Sequence, residues 1–178
     1  HKHKYIYYFN IMKQQKSAIH EITPLSEKDC FYIADRRKSS FTYPIHSHVE
    51  YELNFTMNAS GVRRVVGDSI EVISDYDLVL ITGKELEHVW EQSECKSNNI
   101  REITIQFSPE LFFDNFLNKN QFSSILHMFE LARNGLAFST EAIMKTFHLL
   151  DTLSSGQQGF YAVIKFLTLL YELSLCVD

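Results

Sequence analysis

The periodicity of apolar residues changes once along the chain, near Ser108, and this change constrains the fold more than any other feature. From Ile19 to Phe107 the apolar residues form short runs separated by polar turns, which is typical of successive short strands. In the last run, Ile103 and Ile105 alternate with polar residues. Short strands at this spacing predict a sandwich or barrel, and the longer period after Ser108 predicts helices that follow it.

Turn and capping residues place the expected elements. Strands are expected at residues 31–34, 41–48, 51–57, 62–66, 69–73, 78–81, 88–91 and 100–107, with a polar break from Asp35 to Ser40. Helices are expected from Ser108 to about 117, from 121 to about 133, from Ser139 onward, and from about 160 to 176. The first helix is suggested by Ser108-Pro109-Glu110, which offers a cap, a first-turn proline and an acid near the positive helix end.

The last predicted helix is apolar on most of its circumference. Its polar residues Lys165, Thr168 and Glu172 form one narrow stripe. A helix of this kind must be covered on most of its surface, and the barrel can cover only one side. We therefore expect a homodimer through this region, with burial between the barrel and the preceding helices as the alternative.

Composition excludes several classes of function. A chain of 178 residues with a net charge of −5 fits one globular domain and argues against a nucleic-acid-binding surface in this part. No apolar run reaches the length of about 18 residues that a membrane span needs. The odd, scattered cysteines Cys30, Cys95 and Cys176 suit a reducing cytoplasm. Residues 1–11 lack a signal-peptide cleavage site, and Met12 after them resembles a natural start, which makes residues 1–11 an alternative start or an artificial remnant.

The stretch from Pro44 to Phe55 is the chemically densest part of the chain. His46 and His48 are two residues apart, so on a strand both point to the same face and can share a metal ion or hold one polar ligand. On a flat strand Glu52 would lie about 13 Å from His48, so a shared site requires a bend. Glu50 is the alternative carboxylate. These four side chains can equally form the solvated face of an amphipathic strand.

Taken with later residues, this stretch resembles the two motifs of the cupin superfamily. His46-x-His48-x-x-x-Glu52 with Gly61 is similar to the first motif, and Asp77, Gly83 and His88 are similar to the second. The resemblance implies a double-stranded β-helix, or jelly-roll, barrel and a possible divalent metal ion. Its four ligands would be His46, His48, Glu52 and His88, a donor set that suits iron, manganese, nickel or zinc.

The match to the cupin motifs is incomplete. Tyr76 stands where the family has glycine, Thr82 stands where it has proline, and no asparagine follows His88. These departures weaken the hypothesis that the chain is a stand-alone metal-dependent cupin enzyme, an isomerase or dioxygenase. That hypothesis remains as the alternative function.

The barrel together with the helical half resembles the sensor half of AraC-type transcription regulators. The resemblance rests on the His-x-His strand, the junction Gln106-Phe107-Ser108-Pro109-Glu110-Leu111, the segment 136–139 and the last apolar helices. It implies a regulator rather than an enzyme, with a tail or arm at 1–18, a barrel at 19–107 that binds a small effector, often a sugar, and a dimerising helical region at 108–178. DNA binding is expected of a further C-terminal domain, since no helix-turn-helix pattern or basic patch occurs in these residues.

The expected ligand pocket combines a few polar groups with aromatic walls. Trp90 would offer a flat wall suited to a sugar ring, with a simple core tryptophan as the alternative. Arg64 would hold a carboxylate or hydroxyl partner, or else lie on the solvated surface. No nucleophile triad and no glycine-rich phosphate loop can be assembled. The candidate ligand-binding residues are Tyr43, His46, His48, Glu52, Arg64, His88, Trp90 and Gln106.

Overall fold

A computed structural model of the chain describes residues 17–113, 115–156 and 159–177. The expectations for residues 1–16, including the arm and the start at Met12, fall outside the described residues. Strands within this part are β1 Ile19–His20, β2 Tyr32–Lys38, β3 His46–Ser47, β4 Tyr51–Met57, β5 Arg63–Val66, β6 Ser69–Val72, β7 Tyr76–Ile81, β8 His88–Glu91, β9 Ile100–Phe107 and β10 Leu136–Ala137. The helices are α1 Ser123–Leu131, α2 Thr140–Ser154 and α3 Phe160–Ser174.

The strands form two five-stranded sheets that face each other. The first sheet has the order β1-β3-β8-β5-β6 and the second the order β10-β7-β4-β9-β2. Consecutive strands repeatedly cross between the sheets, and every pairing except the parallel β1–β3 pair is antiparallel. The mainly-β barrel followed by C-terminal helices is therefore confirmed.

The central strands of the second sheet have one apolar and one mostly polar face. On the central strands β4 and β9, Leu53, Phe55 and Ile103 belong to a core that also contains Met128 of α1 and Phe166 of α3. Except for Ile100, residues of the opposite parity on the same strands are polar and buried, and most of them line a cavity inside the barrel. The helices thus cover the back of the sheet, and the polar face lines the barrel interior.

The turn after β7 packs against the end of α1. The Thr82 hydroxyl donates to the carbonyl oxygen of Phe129 at 2.6 Å, and the Thr82 amide donates to that of Ala132 at 3.0 Å. A Cβ atom at Gly83 would lie 2.1 Å from the carbonyl oxygen of Arg133. The glycine is therefore required by the close approach of these two backbones.

Several predicted boundaries are wrong. The helix expected to reach 117 is replaced by short 3₁₀ turns at Pro109–Leu111 and Phe116–Asn118. Of the extended segment 41–48, only His46–Ser47 is paired in a sheet. The polar break was expected to begin at Asp35, but β2 continues to Lys38, paired with β9. The short strands β1 and β10 were not predicted.

The last helix, α3, buries one side and exposes another. Leu169, Leu170 and Leu173 are buried in the helical core. Tyr161 and Tyr171 are 80% and 43% exposed, and no partner chain is present, so the expected dimer remains a prediction. Within the described residues, no helix combines the length and the apolar character that crossing a membrane requires.

Candidate functional site

A corner between the two sheets brings the first motif together. β3 lies in the first sheet and β4 in the second, and the chain bends at Val49 and Glu50 between them. His48 Nε2 consequently lies 3.2 Å from Glu52 Oε1, which confirms that a bend is needed. The side chain of Glu50 lines a different groove on the surface, so Glu52 is the carboxylate that reaches the histidines.

Three histidine side chains converge at this corner. His46 on β3 lies directly opposite His88 on β8, and their ring centroids are 4.3 Å apart. The rings of His48 and His88 are 4.9 Å apart. One ring nitrogen from each of the three lies within 4.8 Å of the others, and all three residues are buried. The solvated-face interpretation of these side chains is therefore wrong.

Backbone carbonyl groups fix the orientation of each imidazole. The Nδ1 atoms of His46, His48 and His88 lie 2.8, 2.9 and 2.8 Å from the carbonyl oxygens of residues 44, 50 and 86. A carbonyl oxygen only accepts, so each Nδ1 carries the hydrogen and each Nε2 keeps its lone pair when the ring is neutral. His88 Nε2 has no hydrogen-bond partner among the described residues. The Nε2 lone pairs of neutral His46 and His88 are thus available to one ligand, and that of His48 joins them when its Nε2 carries no proton bonded to Glu52.

The Glu52 carboxylate supplies the negative charge of the site. Burial by itself raises the pKa of Glu52, but the hydrogen bond with His48 and the nearby imidazoles lower that pKa to about 2. For His88, burial is the main cause that lowers the pKa to about 4. Burial is the largest single influence on His48 and disfavours its charge, yet the hydrogen bond and the negative charge of Glu52, together with the carbonyl group of Glu50, outweigh it and raise the pKa. At neutral pH, Glu52 is ionised, His88 is neutral, and His48 is the imidazole that readily takes a proton.

These residues fit a divalent transition metal ion. Neutral imidazoles oriented by carbonyl groups, with an ionised carboxylate beside them, are the donors and supporting contacts that zinc, iron, manganese and nickel sites use. Glu52 Oε2 lies 3.7 Å from His88 Nε2. The three nitrogens lie within 4.8 Å of one another, whereas neighbouring donors on one ion with bonds of about 2.1 Å lie about 3 to 3.5 Å apart. Binding of an ion would therefore draw the imidazoles closer together.

A cavity of about 360 Å³ lies beside this cluster. It is lined by five of the expected residues, which are Tyr43, His46, Glu52, Trp90 and Gln106. His48 and His88 do not line the cavity. His48 contacts the lining residue Glu52, and His88 contacts the lining residue His46. Gln106 Nε2 donates to Glu52 Oε1 at 3.1 Å, so one amide connects the histidine cluster to the wall of the cavity.

Arg64 lies elsewhere in the barrel. Its guanidinium is buried, forms an ion pair with Asp77 and lies 3.8 Å from Glu71. It therefore lies neither on the solvated surface nor in the wall of this cavity. The carboxylate partner of Arg64 is therefore Asp77 on β7, and not a ligand.

Sequence reasoning missed more than half of the cavity wall. Asn54, Glu102 and Thr104 have the same strand parity as Glu52 and Gln106, so the alternation in β4 and β9 could have identified them. Glu21 follows the two-residue strand β1 and lies 3.9 Å from His46 Nε2, a contact without a sequence signal. The other lining residues not expected are Pro24, Tyr32, Arg36, Lys38, Phe41 and Thr42.

Comparison with known proteins gives structural similarities only. No protein-family profile and no curated protein sequence matches the chain. A crystal structure of ToxT from Vibrio cholerae is 14% identical, with a TM-score of 0.47 over 80% of this chain and 54% of that one. An apo variant of ToxT from the same organism is 14% identical, with a TM-score of 0.48 over 81% and 54%.

A third similar structure contains a ligand. It is ToxT from Vibrio cholerae bound to (E)-4-(8-methylnaphthalen-1-yl)but-3-enoic acid, 13% identical, with a TM-score of 0.45 over 80% of this chain and 55% of that chain. The chain described here spans about half the length of these structures.

Proposed function

We propose that this chain is the effector-sensing and dimerisation domain of an AraC-type transcription regulator in the cytoplasm, and that a small polar metabolite, such as a sugar, occupies the barrel cavity. The proposal follows the resemblance of the motifs and is supported mainly by one observation. The cavity and the helices lie on opposite faces of the same two strands, β4 and β9. A ligand that moves these strands therefore acts directly on the helical layer.

Neighbouring residues on β9 illustrate this coupling. Glu102 lines the cavity, and Arg101 beside it points to the other face. Arg101 forms ion pairs with Asp35 of β2 at 2.9 Å and with Asp151 of α2 at 2.8 Å. An effector can shift the equilibrium between two arrangements only by its difference in affinity for them. The ion pairs of Arg101 would differ between those arrangements.

We also propose that the exposed side of α3 contacts a second copy of the chain. Tyr161, Ile164, Tyr171 and Leu175 recur along this side and are at least 43% exposed. A row of aromatic and aliphatic side chains of this kind is typical of a covered helix face. DNA would be bound by a domain that follows this chain in the whole protein.

A second candidate is favoured by the three converging Nε2 atoms. His46, His48, Glu52 and His88 would hold a divalent metal ion, as in a stand-alone cupin isomerase or dioxygenase. Such an ion would supply a Lewis acid that polarises a substrate oxygen. The protein would contribute the oriented imidazoles and the cavity that places a substrate beside them.

A reporter fusion tests the sensor proposal. Residues 1–178 are fused to a DNA-binding domain that represses transcription only as a dimer, and cells are supplied with a panel of sugars and related polar metabolites. At least one compound should change repression in the wild type and not in His46→Ala or His88→Ala. Glu110→Gln, on the exposed surface, serves as the control. A full response in both histidine variants would show that the effector binds elsewhere.

Metal analysis separates the two candidates. A metal enzyme should contain close to one ion per chain after purification, and His88→Gln should lose it. Titration of the chelated protein with zinc, nickel, manganese and ferrous ions provides the affinity. A protein that takes up none of them excludes the enzyme and leaves the sensor proposal intact.

A further inference from the structure

Two buried amide side chains in the cavity wall are oriented by neighbouring carboxylates. Asn54 Nδ2 donates to Glu102 Oε2 and to Thr104 Oγ1, both at 3.1 Å. Gln106 Nε2 donates to Glu52 Oε1 at 3.1 Å. An ionised carboxylate only accepts hydrogen bonds, so each amide must turn its NH₂ group toward the carboxylate and its carbonyl oxygen away.

The carbonyl oxygens of these two amides are acceptors that a water molecule or a ligand can use. Asn54 Oδ1 and Gln106 Oε1 are buried and have no hydrogen-bond partner among the described residues. Both residues line the cavity and are at most 5% exposed. A water molecule or a donor group of a ligand satisfies such an acceptor, whereas a carboxylate of a ligand opposes it.

The basic side chains near the cavity are engaged or exposed. Lys38 Nζ lies 2.7 Å from Glu102 Oε1. Arg64 is paired with Asp77. Arg36 lines the cavity but its side chain is exposed to solvent, where the attraction of an anion is weakened by screening. Among the residues that line this cavity, none offers a buried cation to an anionic ligand.

At the histidine end of the cavity, Glu52 is hydrogen-bonded to His48, whereas Glu21 has no charged partner among the described residues closer than His46 Nε2, at 3.9 Å. Glu21 and Glu52 line the cavity there, with the imidazole of His46 between them. Aromatic side chains, including Trp90 and Tyr43, form part of the wall, and aromatic rings attract a positive charge. Trp90 Nε1 is a buried donor without a partner among the described residues, which suits a hydroxyl oxygen of a ligand.

We propose that the ligand of this cavity is a small protonated amine that also carries hydroxyl groups, such as an amino sugar, and not a carboxylate. This inference rests on the proposed function, because it assumes that the effector occupies the cavity. The ammonium donates to the carboxylate and amide oxygens of the wall, and a hydroxyl group accepts from Trp90. Neutral sugars satisfy the acceptors but leave Glu21 without a counter-charge, whereas Glu102 is already paired with Lys38 and Glu52 with His48.

Matched ligands test the proposal directly. Glucosamine, glucose and glucuronate differ mainly in their amine, hydroxyl and carboxylate groups, and cyclohexylamine, cyclohexanol and cyclohexanecarboxylate form a second set. Binding to the purified chain is measured by calorimetry and by ligand-observed NMR, at a pH where the amines are protonated and with a chelator present. We expect the amine of a set to bind about tenfold tighter than the alcohol, and the carboxylate most weakly.

Isosteric variants identify the groups responsible. Glu21→Gln and Glu52→Gln should each weaken binding of the amine more than binding of the alcohol, and so lower the preference for the amine. Glu110→Gln makes the same chemical change on the exposed surface and should leave the preference unchanged. The ratio of the two affinities is the readout, so a variant of reduced stability still answers the question as long as it is folded.

Three results would overturn the proposal. An alcohol or carboxylate that binds as tightly as the amine of its set contradicts the proposed ligand class. If that compound does not bind the Asn54→Ala variant, the cavity is still the effector site, and only the ligand class is wrong. An unchanged amine preference in both carboxylate variants contradicts the recognition described above. No binding by any amine also rejects the proposal, and the reporter fusion then decides separately whether the domain is a sensor.

Discussion

The neutral, buried His88 predicts how stability depends on pH. Burial is the main cause that lowers the pKa of His88 to about 4 from an ordinary value of 6.5. Between these values the unfolded chain binds a proton that the folded chain does not. Stability contributed by His88 is therefore complete above pH 6.5 and is lost as the pH falls toward 4.

The size of the effect follows from the difference in pKa. One pKa unit corresponds to about 1.4 kcal/mol, so the free energy of unfolding should fall by about 2 kcal/mol between about pH 6.5 and about pH 4.5. The raised pKa of His48 acts in the opposite sense and only above pH 6.5. The lowered pKa of Glu52 removes stability only below its ordinary value of 4.5. The chosen window therefore isolates His88.

Urea unfolding at several pH values, with a chelator present, measures this slope. His88→Gln should flatten it, because glutamine does not titrate. His148→Gln, an exposed histidine on α2, should retain the slope of the wild type. A wild type whose stability is constant across the window, or a His88→Gln variant with the same slope, would refute the assignment of a neutral, buried imidazole.

Further predictions concern other parts of the chain. Arg101→Ala removes the ion pair with Asp151 and should lower the free energy of unfolding by about 2 kcal/mol in urea titrations. Gly83→Ala places a Cβ atom 2.1 Å from the carbonyl oxygen of Arg133 and should cost about 3 kcal/mol, measured as a lower Tm. Ile164→Asp should convert a dimer to a monomer in analytical ultracentrifugation without a change in the circular dichroism spectrum.

The strands of the barrel were predictable because alternation is a local signal. The end of β2 was not, because Asp35 and Lys38 look like a polar break. In the structure each has a charged partner on β9, since Asp35 pairs with Arg101 and Lys38 pairs with Glu102. A partner more than 60 residues away cannot be identified from one segment of sequence.

After Ser108 a short turn replaces the predicted helix, because tertiary contacts outweigh the local capping residues. The cap is present, because Ser108 Oγ accepts from the amide of Glu110 at 3.1 Å. The turn ends at Phe112, whose backbone leaves the helical region. Its ring packs against Phe122 and Phe129 at centroid distances of 6.3 and 5.8 Å. Capping residues predict where a helix begins, whereas its length here depends on where one aromatic ring is buried.

The histidine cluster was predictable from motif spacing, and the cavity only partly so. Polar residues that alternate with apolar ones normally face solvent. Here the helices cover the apolar face of β4 and β9, so the polar face lies inside the barrel. Only the position of the helices, which local sequence does not fix, distinguishes a solvated face from a ligand cavity.

A polar barrel interior has an energetic consequence that two threonines can test. Thr56 is 1% exposed, and its hydroxyl has no hydrogen-bond partner among the described residues. Thr146 on α2 is fully buried, and its hydroxyl donates to the carbonyl oxygen of Ala142 at 2.9 Å. Replacing an unpaired buried hydroxyl by a methyl group should stabilise the fold by about 1 kcal/mol, whereas removing a paired hydroxyl should destabilise it by a similar amount.

Thr56→Val and Thr146→Val make the same isosteric change in the two settings, and urea unfolding of both gives the sign directly. Valine is also favoured in a strand, and in a helix it is nearly equivalent to threonine, so intrinsic propensities do not reverse the expected order. Equal losses of stability in the two variants would mean that the Thr56 hydroxyl is satisfied, for example by bound water. A gain confined to Thr56→Val would show that a buried polar group on this face of β4 is retained at the expense of stability.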